Sequence, residues 1–105
     1  MAVAKALPLV HPGEVLREEF LQPLGWSVNH LAKELAVTAQ RVNEIVKEKR
    51  SVTADTALRL GQLFGTTPEF WMNLQVMYDL RLAANKNGAY IKAHVHTMTV
   101  DGLRL

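Results

Sequence analysis

Twenty-four consecutive residues, Ser27 to Arg50, constrain the fold of this chain more than any other stretch: SVNHLAKELAVTAQRVNEIVKEKR. Apolar or small residues fall at Val28, Leu31, Ala32, Leu35 and Ala36, then at Val42, Ile45 and Val46. Each set forms one face at helical spacing. Ser27 and Thr38 stand immediately before the two runs, where a side-chain oxygen accepts a hydrogen bond from an otherwise unpaired backbone N–H, so both are expected N-caps. Only Ala36 and Val37 separate the first run from the second cap. Two short amphipathic helices so closely joined must cross and bury their apolar faces against each other, and the small Ala32 permits a close approach. Trp26, just before the first cap, is placed to pack on Leu31 one turn in.

The outward positions of the second helix are polar: Gln40, Arg41, Asn43, Glu44 and Lys47. Glutamine and asparagine pair bidentately with adenine edges and arginine with guanine, which makes this a helix suited to the DNA major groove. Lys49 and Arg50 follow in a loop, where they suit phosphates. Any solvated helix can carry these residue types, so the pattern is read as a helix-turn-helix motif with sequence-specific binding of double-stranded operator DNA as its leading implication. Arg41, Lys47, Lys49 and Arg50 outweigh Glu44 and Glu48 here, whereas Glu14, Glu18 and Glu19 outweigh Arg17 near the start. With a net charge of only +2, affinity has to draw on base contacts and dimerisation as well as phosphate charge.

The remaining sequence supports a compact all-α domain. A length of 105 residues with 49% hydrophobic content suits one small domain with a modest core. His11-Pro12-Gly13-Glu14 opens a helix to about Leu21 that Pro23 and Gly25 close, with Val15, Leu16 and Phe20 inward. Thr53 caps a helix to Phe64, with Ala57, Leu60, Leu63 and Phe64 inward and Gly65 at its end; Gly61 within it points to a close crossing. Thr67-Pro68-Glu69 starts a fifth helix to about Ala84. The expected organisation is an N-terminal tail (residues 1–10), a five-helix DNA-binding domain (11–84) and a C-terminal tail (85–105).

The fifth helix is apolar over most of its circumference: Phe70, Trp71, Leu74, Met77 and Tyr78 form one side and Met72, Val76, Leu80 and Ala83 another. A helix of that kind is buried on both sides. The second surface, Met72, Val76, Leu80 and Ala83, is expected to meet a second copy in a homodimer, unless the tail folds back over it. A twofold pair would read a palindrome with half-sites about 34–36 Å apart, or a multiple of it. In the tail, Tyr90, Lys92, His94 and His96 alternate with Ile91, Ala93 and Val95, and β-branched residues continue to Val100 before Asp101-Gly102, as in a strand. Ile91, Val95 and Met98 also fit helical spacing, so a strand, a helical extension and a frayed tail all remain open. If a strand forms, it needs a partner's edge.

Several classes are excluded or disfavoured. The chain has no cysteine, which removes disulfides, thiolate metal sites and cysteine nucleophiles. No apolar run is long enough to span a membrane, and MAVAKALPLV is too short for a secretory signal and is interrupted by Pro8, so the simplest location is the cytoplasm. There is no glycine-rich phosphate loop, no nucleophile with a recognisable base and no evident carboxylate pair, so neither enzyme activity nor a cofactor is expected. His94 and His96 lack a third ligand and are read as solvated residues; His30 is read as packing or facing phosphate, and His11 as part of a helix start.

HPGEVLREEFL, LAKELAVTAQRVNEIV and KRSVTADTALRLGQLFGTTPEFWMNLQVMYDL together resemble the HigA-type antitoxins of the Xre, or lambda-repressor-like, helix-turn-helix family, from His11 to about Leu82. The resemblance implies a five-helix dimeric repressor of its own promoter that also binds and neutralises a small mRNA-cleaving ribonuclease toxin. A solitary Xre-type regulator without a toxin, or an interaction module that has lost DNA binding, are the alternatives. It places Thr38, Ala39, Gln40, Arg41 and Asn43 on the base-reading part and Lys47, Lys49 and Arg50 at the phosphate-facing end, so that with Ser27 these form the expected DNA-binding set. Three residues depart from the family pattern: Val28 in place of a frequent glutamine, Ala39 in place of a frequent arginine, and Glu48 in place of a frequent glycine. The last implies a left-handed backbone at a non-glycine residue, at a cost of about 1 kcal/mol or more. A different operator sequence is therefore expected.

Overall fold

The structure, a computed structural model, describes residues 9–99, and every regular element among them is helical. Helix α1 covers residues 12–24, made of an α-helical turn Pro12–Val15, a wider π-helical stretch Leu16–Leu21 and a final turn Gln22–Leu24. It is followed by α2 (Val28–Leu35), α3 (Ala39–Val46), α4 (Ala54–Phe64) and α5 (Pro68–His94). The five-helix, all-α architecture expected from the periodicity is the one observed.

Local chemistry explains the boundaries. His11 Nδ1 accepts from the Gly13 N–H at 2.9 Å, capping α1, and Pro12 occupies the first turn, where its missing N–H costs nothing. Helix α1 runs three residues past its expected end, through Pro23, to Leu24, with Gly25 left-handed at φ 69°. Proline crowds the carbonyl one turn before it and supplies no N–H. The π-helical turn widens the backbone just ahead of Pro23, with the Gln22 N–H donating to Arg17 O, so the chain need not stop there. Thr53 and Thr67 cap α4 and α5 through their hydroxyls, and Gly65 ends α4 at φ 73°.

Leu31 and Leu35 of α2, Val42 and Ile45 of α3, Ala57 and Leu60 of α4, Leu16 of α1 and Trp71 of α5 form the centre of the core. Trp71 is fully buried, its indole N–H donating to Thr66 Oγ1 at 2.8 Å. The Trp26 ring lies edge-on to His30, 4.5 Å between centroids, and also approaches Phe64. Close backbone approach is decisive at two glycines. A Cβ on Gly13 would sit 1.8 Å from the Ile45 carbonyl oxygen, so α1 rests directly on the end of α3. At Gly61 the close neighbour is the backbone of the turn into α5, with Thr66 O 2.9 Å from the position of a Cβ, and not a second helix mid-span.

Helix α5 departs most from expectation. It runs 27 residues, ten beyond Ala84, so the strand reading of Tyr90 to His94 is overturned in favour of the helical extension. Ala83, Ala84, Lys86, Ala89, Lys92 and Ala93 are strong helix formers, and extending an anchored helix avoids a new nucleation step. One interior glycine, Gly88, costs about 1 kcal/mol, too little to stop it. Tyr90 and His94 stack one turn apart at 4.0 Å, and Lys92 and His94 suit the negative end of the helix. Residues 95–99 form no strand; Val100 and the Asp101-Gly102 turn lie outside the described residues.

The inner line of α5 is Trp71 and Gln75, flanked by half-buried Met72, Leu74 and Tyr78. Phe70 and Met77, expected inside, are exposed, and Met72, expected outside, packs against the core. Val76, Leu80 and Ala83 do stand exposed, and the apolar strip continues through Ala84, Gly88 and Ile91. No helix among the described residues is long and apolar enough to cross a membrane.

Candidate nucleic-acid interface

The expected caps are formed. Ser27 Oγ accepts from the His30 N–H at 3.0 Å and Thr38 Oγ1 from the Arg41 N–H at 3.1 Å. Between them, α2 ends in a left-handed residue, Ala36 at φ 58° and ψ 44°, whose N–H reaches Lys33 O while Val37 N–H reaches Ala32 O. This tight reversal brings the first turns of α2 and α3 side by side. A shallow groove opens there, lined by Ser27, Val28, Asn29, Ala39, Gln40 and Asn43. Both helices present first-turn N–H groups and the positive end of their dipole to that region, which suits an anionic backbone running across it.

The structure thus brings Ser27, Ala39, Gln40 and Asn43 of the expected set together. Asn29 belongs beside them and was missed, although its exposed polar position in the first turn of α2 was a usable signal. Thr38 caps α3 through its hydroxyl and does not line the groove. Lys47, Lys49 and Arg50 are exposed at the far end of α3 and in the following loop. Glu48 takes the left-handed conformation expected of it, φ 63°, and its carboxylate meets Arg17 at 3.4 Å. Arg17 also donates to the Val46 carbonyl, satisfying one of the open carbonyls at the end of α3.

Arg41 behaves differently from a free reader of guanine. Its guanidinium bonds Asp55 Oδ2 at 3.0 Å and Thr56 Oγ1 at 3.3 Å, clasping α3 to the start of α4. Arg59 completes the clasp, bonding Asp55 at 2.8 Å and the α2 carbonyls of Leu35 and Ala36 at 2.9 and 3.2 Å. The Arg59 hydrogen bond, then that of Arg41, hold the Asp55 carboxyl below its ordinary range. On the opposite flank, Glu44 bonds Gln40 and Arg50, and the Gln40 hydrogen bond is the main cause of its lowered pKa.

The basic loop is anchored from below. Val52 and Gln75 are both buried, and the Val52 N–H donates to Gln75 Oε1 at 2.8 Å while Gln75 Nε2 donates to Asp79 at 3.0 Å. Gln75 was not singled out from sequence, where one glutamine on an apolar helix carries no mark of its partner. Of the tail histidines, His94 makes a contact within α5, its Nδ1 2.8 Å from Tyr90 O.

With the geometry in place, comparison with known proteins is informative. A model of the helix-turn-helix family matches residues 16–71. Virulence-associated protein I of Dichelobacter nodosus is 54% identical over 77 residues, 73% of this chain and 71% of that protein. Antitoxin HigA-1 of Vibrio cholerae is 38% identical over 71 residues, 68% of this chain and 67% of that one. The structure is similar to that of the Pseudomonas aeruginosa antitoxin HigA with the higBA promoter, with a TM-score of 0.85 and 44% identity, covering 88% of this chain and all of the other.

Proposed function

The chain belongs to the helix-turn-helix family, in its HigA-type branch, and from that premise we propose that it is a dimeric repressor that binds operator DNA upstream of its own gene. The observation that carries the reading is the groove between the first turns of α2 and α3, with Gln40 and Asn43 available to base edges, while Lys47, Lys49 and Arg50 stand exposed at the far end of α3 and in the loop after it, suited to phosphates. Arg41 serves the same function by holding α3 in position through Asp55 and Thr56. The exposed Val76, Leu80 and Ala83, beside the half-buried Met72, supply the apolar surface for a twofold partner. A dimer would present two α3 helices to a palindrome about 34–36 Å apart, or a multiple of it. The HigA-type likeness further supports an antitoxin role, in which the protein neutralises a small ribonuclease toxin by direct binding.

Fluorescence anisotropy with duplex DNA from upstream of the gene, beside a scrambled duplex and at two salt concentrations, tests the repressor role. Tighter binding to the native duplex at both concentrations is expected. Lys49→Ala should weaken both duplexes alike and reduce the salt slope by about one. Equal binding of native and scrambled DNA by the parent refutes sequence-specific autoregulation. Co-purification with the product of an adjacent short reading frame, and loss of that product's ribonuclease activity in the complex, tests the antitoxin role.

A further inference from the structure

Glu44 sits on the outer face of α3 with both carboxylate oxygens engaged: Oε2 with Gln40 Nε2 at 3.1 Å, Oε1 with Arg50 Nε at 2.8 Å. An ionised carboxylate only accepts hydrogen bonds, so the atom of Gln40 that faces it must be the N–H group. That fixes which way the Gln40 amide points. Its carbonyl oxygen is turned away from Glu44, with the second N–H still open. An acceptor and a donor side by side are what adenine requires in the major groove, where it offers N6–H as donor and N7 as acceptor; guanine offers two acceptors, O6 and N7.

We infer that Glu44 is a specificity-determining residue that acts by positioning: its carboxylate locks the Gln40 amide in the orientation that selects adenine. This rests on the DNA-reading role of α3 proposed above. Without Glu44 the amide is free to turn over and exchange its oxygen and nitrogen, and a long flexible side chain must be ordered when DNA arrives. The same carboxylate holds Arg50 by its Nε edge, leaving the two terminal nitrogens for a phosphate, so base reader and backbone anchor are set relative to each other. The cost is a negative charge facing a polyanion. Glu44 therefore lowers affinity for DNA in general while raising discrimination between sequences, two effects of opposite sign that loss of fold cannot produce.

The test uses the full chain, its Glu44→Ala, Gln40→Ala and doubly substituted variants, and a pool of randomised duplexes. Anisotropy then follows on the best-enriched duplex and its single base-pair replacements, with thermal unfolding as a check on folding. The parent should require adenine at one position, and Gln40→Ala should lose about tenfold of that preference. Glu44→Ala should lose most of the same preference at the same position, while binding mismatched duplexes more tightly than the parent at equal salt. The double variant should match Gln40→Ala in base preference while binding all duplexes more tightly than it. The inference is overturned if Glu44→Ala keeps the preference, loses it at a different base pair, adds its loss to that of Gln40→Ala, or weakens matched and mismatched duplexes alike. Failure of the parent to enrich any sequence would instead remove the DNA-reading role itself, and this inference with it.

Discussion

Replacing Gln75 with methionine should loosen the basic loop from beneath. Gln75 is 4% exposed and Val52 2% exposed, and the 2.8 Å bond between Gln75 Oε1 and the Val52 N–H joins α5 to the loop that carries Lys49 and Arg50. Methionine preserves the shape and removes the acceptor. A buried N–H without a partner costs about 1–3 kcal/mol. Better burial of the thioether returns part of this, so a net loss of about 1–2 kcal/mol is expected. For a domain of this size that lowers Tm by roughly 5–15 °C. In urea it lowers the midpoint by about 1 M with an unchanged slope. Protein concentration must be held constant, because a dimer's Tm depends on it. Asp79→Ala is the control. It removes the exposed acceptor of the Gln75 amide N–H, which water can replace from the surface, and should cost clearly less than Gln75→Met. At a temperature where Gln75→Met is still folded, its affinity for the upstream duplex should also fall, since the loop that presents Lys49 and Arg50 is less well held. A Tm equal to the parent's, or an equal loss in Asp79→Ala, would refute the idea that this buried hydrogen bond supports the loop.

Two further outcomes concern stability alone. Burial lowers the pKa of His11, against the smaller opposing influence of Glu48 and Asp79, and its neutral Nδ1 caps α1. Because the unfolded chain takes up that proton more readily, the stability contributed by neutral His11 is present above about pH 6.5 and is lost as pH falls through the lower folded value. Thermal midpoints measured from about pH 7 to about pH 5 should therefore decline, and His11→Asn, which keeps a cap acceptor without titrating, should flatten the decline; an equal slope in both proteins would contradict this. Ala36 holds φ 58° at the end of α2, a conformation that suits glycine. Ala36→Gly should raise stability by about 0.5–1 kcal/mol in urea unfolding, and an unchanged or lower midpoint would show that the turn carries no such strain.

What could be read directly from the residues was whatever is settled within about four positions along the chain. The caps at Ser27, Thr38, Thr53 and Thr67, the two-residue link between α2 and α3 and the glycine at the end of α4 are all of this kind, whereas the left-handed backbone at Glu48 was legible only through the family resemblance. Periodicity likewise identified the inner faces of α2, α3 and α4. It failed on α5, where apolar residues surround the helix and periodicity cannot say which side is inward. The tail was ambiguous for a related reason: alternation and helical spacing coincide in Ile91 and Val95, and cooperative extension of a helix already anchored by Trp71 decided between them.

The sequence by itself determined a helical domain from His11 to about Ala84 with a polar, cap-started helix at its centre, because helical period, capping and turn chemistry act through neighbours. Tertiary structure alone decided the use made of each polar side chain. Arg41, a natural guanine reader by its chemistry, is bound to Asp55 and Thr56, fourteen and fifteen residues away. Gln75 meets Val52 from 23 residues away, and Gly13 must be glycine because the Ile45 carbonyl lies where its Cβ would be. Such partners are chosen by how helices pack, and packing brings together atoms whose separation along the chain gives no hint of their separation in space.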